Sequence, residues 1–474
     1  MVSTTTIALS LRIGEAVAAT AARALPPATE QVTRRALLDA LGVMLAATGL
    51  APEAEPYRAR ALLDGTGPAR LLGGGRSNPA QAALANGALA HALDYGDTYD
   101  AGPAHPNAAL VPALLALCDA DRSITLGRLT EAMAAGSDLA CRLSRAPARP
   151  YEEGGWYPPP LFGSVAAAAA CAALLGLDGA GVVTAMGLAL CQAAFPGAIK
   201  HDVASGLRGV RDGFAARAAV EAALLAQAGA RGFAQPLEGP GGFFAHYGGG
   251  GWDASILLDD LGERFLGDDV SFKPWPSCRG THAYIEAALQ LRGGLDLAAI
   301  VRIEAETGPV QAMLIEPHAA KCSPDTAISA KFSIPYTVAA ALVDGAVTLD
   351  SFAAGRLVDP RLRALAATVI DVRNPTSTRA DAASGGLTVT LANGAQRRRR
   401  VTQALGHPTR PMSQQALVAK FADCARRART PMSLAQAESI VGYVMAGAAE
   451  TSATTLLDLC EDGTIRQAAS AGAQ

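Results

Sequence analysis

The most apolar stretch of the chain runs from Gly163 to Phe195, and it limits how the chain can fold. It is rich in Ala and Gly and is broken by Asp178 and Gly179. Because a membrane-spanning helix needs about 20 continuous apolar residues, the break favours a pair of helices buried in a protein core. The helical patterns of the first half lie at 32–48, 79–93, 107–119, 125–146, 163–176, 179–194 and 212–229. We therefore predict a large helical domain whose small side chains let helices pack closely.

The pattern changes at about residue 270, where strand-like segments begin. Segments typical of strands lie at 300–305, 368–372 and 387–391. Asn393-Gly394 is a strong signal for a hairpin turn, and it is followed by four arginines at 397–400. We interpret the arginines as the solvated or edge-protecting part of the second hairpin strand.

The chain is therefore expected to be mainly α, with two domains. A length of 474 residues suits two or three domains with sizeable cores. We expect a large all-helical domain made of residues 1–269 and of the C-terminal helices within 406–474. A smaller inserted α+β lid domain would occupy residues 270–405.

Charge and cysteine content exclude several classes of protein. A net charge of −3 without a basic face argues against a nucleic-acid partner. The eight cysteines contain no C-x-x-C pair and no Cys/His zinc spacing, so we expect reduced thiols rather than an iron–sulfur or zinc site. The first residues, MVSTTTIALS, lack the basic and apolar regions of a signal peptide, so we expect a cytoplasmic protein with no membrane partner.

Lysine is rare in this chain. Of the 40 basic residues, 35 are Arg and 5 are Lys, at Lys200, Lys273, Lys321, Lys331 and Lys420. Lys is a compact charge whose pKa shifts readily on burial, so it can serve where Arg cannot. Each lysine is a candidate for a specific role, with chance retention as the alternative. Lys420 is far in sequence from the polar segments described next, and we expect its replacement to be nearly silent.

The densest polar cluster begins at His91 and ends at His105. It holds carboxylates, a hydroxyl and two imidazoles at His91, Asp94, Asp97, Thr98, Asp100 and His105. Such groups can orient a proton-transferring histidine and bind a polar ligand. The aspartates also resemble acidic Mg²⁺ clusters, but the usual adjacent pair is missing, so we expect no metal ion. The alternative is a helix end and turn satisfied by Asp and Thr side chains.

A second polar segment, from Phe272 to His282, lies in a proline-restricted loop ahead of a predicted helix. It contains the cations Lys273 and Arg279 and two hydroxyl residues. These cations, together with the backbone amides at the helix start, would suit an anionic ligand. A surface loop between domains is the alternative.

Together the two segments resemble the MmgE/PrpD family, which contains 2-methylcitrate dehydratase, cis-aconitate decarboxylase and iminodisuccinate epimerase. The resemblance continues at Gly163-Ser164, from Pro236 to Phe243 and from Ala330 to Tyr336, and it spans about residues 10–445. It implies a large helical domain and an α+β lid, with the active site in the cleft between them. It also implies a homodimer that acts on small di- and tricarboxylates without a cofactor.

The resemblance also suggests roles for particular residues. The acid/base and binding positions of the family fall on Asp94, Thr98, His105, Lys273 and Tyr336. His105 would transfer the proton, and Asp94 would orient or tune it. The candidates for binding the substrate are Lys273, Arg208, Arg279, His282 and Asp97.

Four departures from the family pattern leave the reaction and the substrate open. The spacing from Thr98 to His105 is one residue longer than the family pattern. The usual Asp-aromatic-Asp-Asp-Thr motif is here Asp94-Tyr95-Gly96-Asp97-Thr98, which has one carboxylate fewer. Tyr157 stands where members often carry a catalytic His, and it would either donate in its place or fill its space. Arg208 stands where many members carry a Lys, and an Arg cannot shuttle protons because it is effectively always charged.

The main interpretation is a hydro-lyase that dehydrates a 2-methylcitrate-like acid. A decarboxylase of a cis-aconitate-like acid and an epimerase of an iminodisuccinate-like acid are alternatives, because all three reactions make or reprotonate a carbanion beside a carboxylate. A dimer that binds carboxylates without turnover is an alternative of a different class, and a Mg²⁺-dependent helical enzyme, which EDTA would inactivate, is a third. The joint presence of Asp94, Thr98, His105 and Lys273 argues against the dimer without turnover, since a scaffold has no need of them.

Overall fold

The structure, a computed structural model, describes residues 8–202 and 205–461, which form two compact units. The helical unit comprises the described residues of Met1–Ala92, Gly102–Val270 and Ser413–Gln474, and the sheet unit comprises Leu93–Ala101 and Ser271–Met412. The sequence pattern predicts residues 93–101 in the helical domain and the end of the inserted domain at 405. In the structure residues 93–101 belong to the sheet unit, which ends at Met412, and Asp94 and Asp100 form ion pairs with Lys273 and Arg279 of the same unit.

The helical unit is built mainly from α-helices, with one small antiparallel strand pair. Its helices before the sheet unit are α1 (Leu9–Thr20), α2 (Pro27–Leu50), α3 (Glu55–Leu63), α4 (Pro79–Ala90), α5 (Pro106–Ala120), α6 (Leu126–Arg145), α7 (Pro158–Leu174), α8 (Gly179–Leu190), α9 (Leu207–Val210), α10 (Asp212–Gln227), α11 (Phe243–Tyr247) and α12 (Ala254–Leu258). Its strands are β1 (Ala69–Arg70) and β2 (Arg76–Ser77). Short 3₁₀ turns lie at Pro52–Ala54, Tyr151–Gly154, Gly197–Lys200 and Leu266–Asp269.

Helix α7 is buried along its whole length and packs against α5, α6, α8 and α10. A helix that is apolar all round must be surrounded by other elements, as the sequence analysis expected for this stretch. The predicted break is also present, because the Asp178 side chain accepts from the Gly181 amide at 2.9 Å and begins α8. Helix α7 starts earlier than the predicted 163, since Pro158–Pro160 occupy the first turn, where the backbone N–H groups are not needed.

Two glycines let α4 and α10 cross closely. A Cβ atom on Gly213 would lie 2.4 Å from the Leu84 carbonyl oxygen, and one on Gly87 would lie 2.8 Å from the Gly213 Cα. Neither distance is possible without moving a backbone. Gly87 and Gly213 therefore set the spacing of this helix pair, and with it the position of the residues that begin α10.

Helix α2 and the Pro52–Leu63 segment that follows it bear on membrane insertion. Only together are the two long and apolar enough to span a membrane, and their axes meet at a bend of 92°. Among residues 8–202 and 205–461, no single helix is both long and apolar enough to cross a membrane. Most of the second half of α2, from Ala36 to Ala47, is buried inside the helical unit.

The sheet unit is built around four strands in the order β6-β5-β7-β8. The chain enters it through β3 (Thr98–Tyr99) and β4 (Val270–Ser271), and the sheet strands are β5 (Ile300–Thr307), β6 (Val369–Arg373), β7 (Gly385–Leu391) and β8 (Gln396–Val401). Strand β5 pairs in parallel with β6 and antiparallel with β7, and β7 pairs antiparallel with β8. Asn393 and Gly394 connect the last two strands, and Gly394 has a φ of +80°. The predicted hairpin is confirmed.

Helices cover the sheet and form its core. They are α13 (His282–Leu291), α14 (Ala312–Ile315), α15 (His318–Cys322), α16 (Ala327–Lys331), α17 (Ile334–Asp344), α18 (Ala354–Leu357) and α19 (Pro360–Ala366). Helix α13 packs on β7, β8 and α17. Short 3₁₀ turns lie at Arg279–Thr281, Leu297–Ala299, Leu349–Phe352 and Arg379–Asp381. The structure thus confirms a mainly α chain in which, among the described residues, every strand longer than two residues follows residue 270.

The arginine run lies on β8, at an edge of the four-stranded sheet. All four arginines are exposed. Arg398 and Arg400 form ion pairs with Glu306, whose pKa they hold below its usual range against the opposing effect of burial. This confirms the interpretation as a solvated edge strand, since charged side chains discourage pairing with another strand.

The chain returns to the helical unit through α20 (Gln414–Arg426), α21 (Leu434–Ala446) and α22 (Thr454–Glu461). Helices α20 and α21 pack on α2, and α22 packs on α21 and α5. Ser433 caps α21 by accepting from the Gln436 amide at 3.2 Å. The Gln436 side chain donates to the Leu459 carbonyl oxygen and so ties α21 to α22.

Replacing Gly213 by Ala is expected to lower the free energy of unfolding by about 1–3 kcal/mol, because the new methyl group would collide with the backbone of α4. Gly442 is the matched control. It lies inside α21, and a Cβ atom there has no neighbour within 4 Å, so Gly442→Ala should stabilise the protein by about 0.5–1 kcal/mol. Urea unfolding followed by far-ultraviolet circular dichroism measures both. Equal effects at the two positions would contradict the close crossing.

Candidate active site

The centre of the candidate site in the sheet unit is a buried ion pair. Lys273 Nζ lies 2.5 Å from Asp94 Oδ1 and 3.1 Å from the Asp94 carbonyl oxygen. The side chains of Lys273 and Asp94 are 0% and 1% exposed. Asp94 has a φ of 48°, in the left-handed region that Asp tolerates better than most residues. In this conformation the backbone carbonyl oxygen and the Oδ1 atom of Asp94 both accept from the Lys273 ammonium group.

A second charged pair in the sheet unit joins Asp100 to Arg279. The Arg279 Nε atom lies 3.1 Å from both Asp100 carboxylate oxygens, and Nη2 lies 2.9 Å from Oδ2. The remaining Arg279 donors reach the Leu405 and Ala404 carbonyls at 2.8 and 3.2 Å. Arg279 would therefore have to leave Asp100 to bind a substrate carboxylate in the way the sequence analysis proposes. Asp100 was part of the predicted polar cluster but had no assigned role.

His282 is fully buried beside Arg279. Its Nε2 atom lies 3.1 Å from the Ser277 carbonyl oxygen, and its Nδ1 atom lies 3.4 Å from Arg279 Nη1. Because a carbonyl only accepts, we assign the proton to Nε2, which leaves Nδ1 as the acceptor for the arginine. In this structure His282 thus links Arg279 to the loop that precedes α13.

Two imidazoles meet in the helical unit. His91 ends α4 and His105 precedes α5, and their ring centroids are 4.5 Å apart. His91 is buried and His105 is half-buried. The antiparallel packing of these helix ends therefore gives the proposed proton-transfer residue a second imidazole as a neighbour. As metal ligands the two rings would need further donors to complete a site.

A buried group of charges beside Tyr157 was missed by the sequence analysis. Arg211 is 1% exposed, and its guanidinium lies over the Tyr157 ring at 4.8 Å from the ring centroid. Its Nη1 donates to the Arg208 carbonyl, and its Nη2 is 3.6 Å from Asp212 Oδ2. Burial raises the pKa of Asp212, and Arg211 opposes that rise. The signal available in the sequence was a second Arg, three residues after Arg208, at the start of α10.

The remaining predicted residues occupy different surroundings. Asp97 and Thr98 are buried in the sheet unit near Asp94 in sequence, with Thr98 in β3. Tyr336 lies in the core of the sheet unit, and its hydroxyl donates to the Ser351 carbonyl at 2.6 Å. Burial raises the pKa of Tyr336 to about 12. Its contacts in this structure are those of a core tyrosine, so a catalytic role would require it to release Ser351.

Three of the five lysines are buried: Lys273, Lys331 and Lys420. Lys331 Nζ donates to the Pro276 carbonyl at 2.9 Å, in the same loop as Lys273. Lys420 Nζ lies 2.7 Å from Asp39 Oδ1 and ties α20 to α2. The expectation that Lys420→Ala leaves turnover nearly unchanged stays a prediction. The same variant should lower stability, because it would remove a cation from a buried carboxylate.

A cavity of about 380 Å³ lies elsewhere in the helical unit, between α2, α3 and α4. It is lined by apolar residues and by Thr48, Glu55, Arg58 and Arg429. Glu55 forms ion pairs with both arginines. None of the predicted site residues lines this cavity, so it is separate from the candidate active site.

Comparison with known proteins identifies the family. The MmgE/PrpD N-terminal domain matches residues 11–254, and the MmgE/PrpD C-terminal domain matches residues 275–442. These two matches cover most of the chain. The protein belongs to the MmgE/PrpD family, as the sequence motifs indicated.

Curated relatives carry a narrower description. A Homo sapiens cis-aconitate decarboxylase is 29% identical over 360 residues, which cover 73% of this chain and 72% of the relative. A Mus musculus cis-aconitate decarboxylase is 28% identical over 404 residues, covering 82% of this chain and 81% of the relative. A cis-aconitate decarboxylase-like protein of Aspergillus oryzae is 29% identical over 297 residues, covering 58% of this chain and 61% of the relative. The human and mouse relatives are named as decarboxylases, which are a class of lyase.

Replacing Lys273 by Ala is expected to lower the free energy of unfolding by about 3–5 kcal/mol, because Asp94 would stay charged in a buried site without its partner. The double variant Lys273→Met/Asp94→Asn removes both charges and should be much less destabilised than the two single variants combined. Asn is used because it tolerates the left-handed conformation of Asp94. Urea unfolding followed by tryptophan fluorescence measures the coupling.

The matched control for the ion pair is Arg302→Ala in the same unit. The Arg302 side chain is 52% exposed and pairs with Glu304, so its loss should cost less than about 1 kcal/mol. If Lys273→Ala were no more destabilising than Arg302→Ala, the buried pair would contribute nothing to stability.

Proposed function

We propose that this protein is a cofactor-free lyase that removes CO₂ from cis-aconitate or a closely related unsaturated tricarboxylate. The observation that carries the proposal is the similarity to curated cis-aconitate decarboxylases along most of the chain. The sequence analysis preferred a dehydratase of a 2-methylcitrate-like acid and gave decarboxylation as an alternative. The relatives favour the alternative, so decarboxylation becomes the first candidate.

The chemistry explains why buried charges are useful. Loss of CO₂ from the CH₂–COO⁻ arm of cis-aconitate leaves an electron pair, which spreads through the double bond to the carboxylate at its far end. A proton then adds to the carbon beside that carboxylate, and the product is a five-carbon dicarboxylate with a terminal C=CH₂ group. Negative charge grows on carboxylate oxygens, so fixed cations stabilise the transition state most when they are aimed there.

The residues already described can supply these functions. In the proposal His105 delivers the proton, with His91 as its neighbour at 4.5 Å between ring centroids. Lys273 binds a substrate carboxylate, and Asp94 holds its ammonium in place through the 2.5 Å contact. Thr98 contributes a hydroxyl donor.

The other predicted binding residues keep more limited roles. Arg208 stays a candidate cation for a second substrate carboxylate. Arg279 and His282 position the loop that carries Lys273, because Arg279 is held by Asp100 and His282 by Ser277. Asp97, Tyr157 and Tyr336 remain predicted site residues without a step assigned to them.

The defining experiment is proton NMR in D₂O with EDTA-treated protein. We expect cis-aconitate to lose CO₂. The product should carry one deuterium on the saturated CH₂ group beside a carboxylate, because the proton added there comes from an exchangeable acid. Parallel samples would contain 2-methylcitrate, citrate or iminodisuccinate. Dehydration of 2-methylcitrate without decarboxylation of cis-aconitate would restore the dehydratase, and binding without turnover would favour a carboxylate-binding dimer. Loss of activity on EDTA treatment would overturn the metal-free mechanism.

His105→Ala is expected to lower turnover of cis-aconitate about 100-fold or more while leaving the thermal unfolding temperature nearly unchanged, because removal of a general acid usually costs that much. The matched control is His201→Ala, since His201 is exposed in the same helical unit. Turnover is followed by CO₂ release. A His105→Ala enzyme with near-normal turnover would remove His105 from the proposed role.

A further inference from the structure

We propose that Arg211 binds a carboxylate of the substrate through the Nε–Nη2 edge of its guanidinium group. This makes Arg211 a specificity-determining residue of the helical unit that neither the family pattern nor the relatives assign. The inference rests on the proposed function in one respect, the choice of a small tricarboxylate as the ligand.

The first observation is which donors of Arg211 are used. Nη1 donates to the Arg208 carbonyl, and the flat face of the group rests on the Tyr157 ring at 4.8 Å. Nε and Nη2 are buried and have no hydrogen-bond acceptor among residues 8–202 and 205–461. Asp212 Oδ2 is 3.6 Å from Nη2, beyond hydrogen-bonding distance, and it too has no donor within the described chain.

The unused donors are the two that can hold a carboxylate side by side. Nε–H and Nη2–H point the same way in the plane of the guanidinium, and a carboxylate can accept both at once. The same edge of Arg279 is filled in this way by Asp100, with Nε–O and Nη2–O distances of 3.1 and 2.9 Å. Arg34 also directs Nε and Nη2 at the Glu30 carboxylate, but both atoms lie 2.9 Å from a single oxygen, Oε1. Within the described residues, Arg211 has the same pair of donors but no carboxylate within hydrogen-bonding distance of them, since Asp212 Oδ2 is 3.6 Å from Nη2.

Leaving the edge empty is costly. A buried donor without a partner loses its hydration and gains no hydrogen bond in return, and the penalty is larger for a charged group. Asp212 attracts the guanidinium electrostatically but supplies no hydrogen bond, since its Oδ2 atom is 3.6 Å from Nη2. An anionic ligand would satisfy both donors, and it would also benefit from a cation that is shielded from water.

The surroundings position Arg211 for one ligand orientation. Arg211 immediately precedes α10, whose first turn lies against α4 at the Gly213 and Gly87 contact. Tyr157 supports one face of the guanidinium, so the group cannot rotate freely. Lys200 Nζ lies 5.7 Å from the centre of the same ring, and its side chain is 23% exposed, so the cluster extends from the interior toward the surface.

The test measures binding rather than turnover. Propane-1,2,3-tricarboxylate, the saturated and unreactive analogue, is titrated into the full-length protein in a calorimeter. Arg211→Met should weaken its binding about 10- to 100-fold, because it removes two charge-assisted hydrogen bonds. Arg211→Lys keeps the charge but not the paired donors, so it should also bind several-fold more weakly than the wild-type protein. Arg231→Met, at an exposed position of the same unit, should bind normally.

The outcomes separate this inference from the proposed function. Wild-type binding in Arg211→Lys, or in a folded Arg211→Met protein, would overturn the carboxylate role, as would the absence of binding by wild-type protein at millimolar concentration. If Arg211→Met fails to fold, the Arg211→Lys comparison decides. If the wild-type protein leaves cis-aconitate unchanged but the two Arg211 variants bind the analogue more weakly than it does, the role of Arg211 is supported and the decarboxylase activity is overturned. If the wild-type protein decarboxylates cis-aconitate and both Arg211 variants bind the analogue normally, the decarboxylase activity is supported and the role of Arg211 is overturned.

Discussion

The buried contact between Lys273 and Asp94 is the interaction on which the sheet-unit part of the site depends. It joins residues 179 positions apart in the chain and holds Asp94 in a left-handed backbone conformation. Two ions without water are stable only when each compensates the other, so neither residue can be changed alone without cost. The same pair offers a reason why position 273 carries a lysine, because a compact ammonium can donate to a carboxylate oxygen and a carbonyl oxygen of one residue more readily than a planar guanidinium can.

Arginines in this protein differ in whether their paired donors are already used. Arg279 is held by Asp100, and its other donors reach backbone carbonyls, so it organises the loop before α13. Arg211 is held by a carbonyl and an aromatic face, which leave its paired donors facing no acceptor within the described residues. Burial alone therefore does not identify a binding cation. The partners of each nitrogen atom do, because a satisfied guanidinium has little to gain from a ligand.

Close helix packing provides the frame for these charges in the helical unit. Ala and Gly reduce the separation of helices, as in the fully buried α7 and in the Gly87–Gly213 crossing. Small side chains also leave few conformations for a neighbouring polar group, so Arg211 and Asp212 are held where α10 begins. A fixed charge needs no rearrangement when a ligand arrives, and this is the property that electrostatic catalysis and selective binding require.

Local patterns in the sequence determined the helical first half, the break at Asp178, the hairpin at Asn393-Gly394 and the family, because helix periodicity, caps and turn residues act over a few positions. They also singled out His105 and Lys273 as polar residues in unusual settings. Only the tertiary structure decided which charges meet: Asp94 with Lys273, Asp100 with Arg279, and Lys420 with Asp39. Only the tertiary structure identified Arg211 as a candidate binding residue. The pairing of a charge depends on chain segments that are distant in sequence and meet only in the fold.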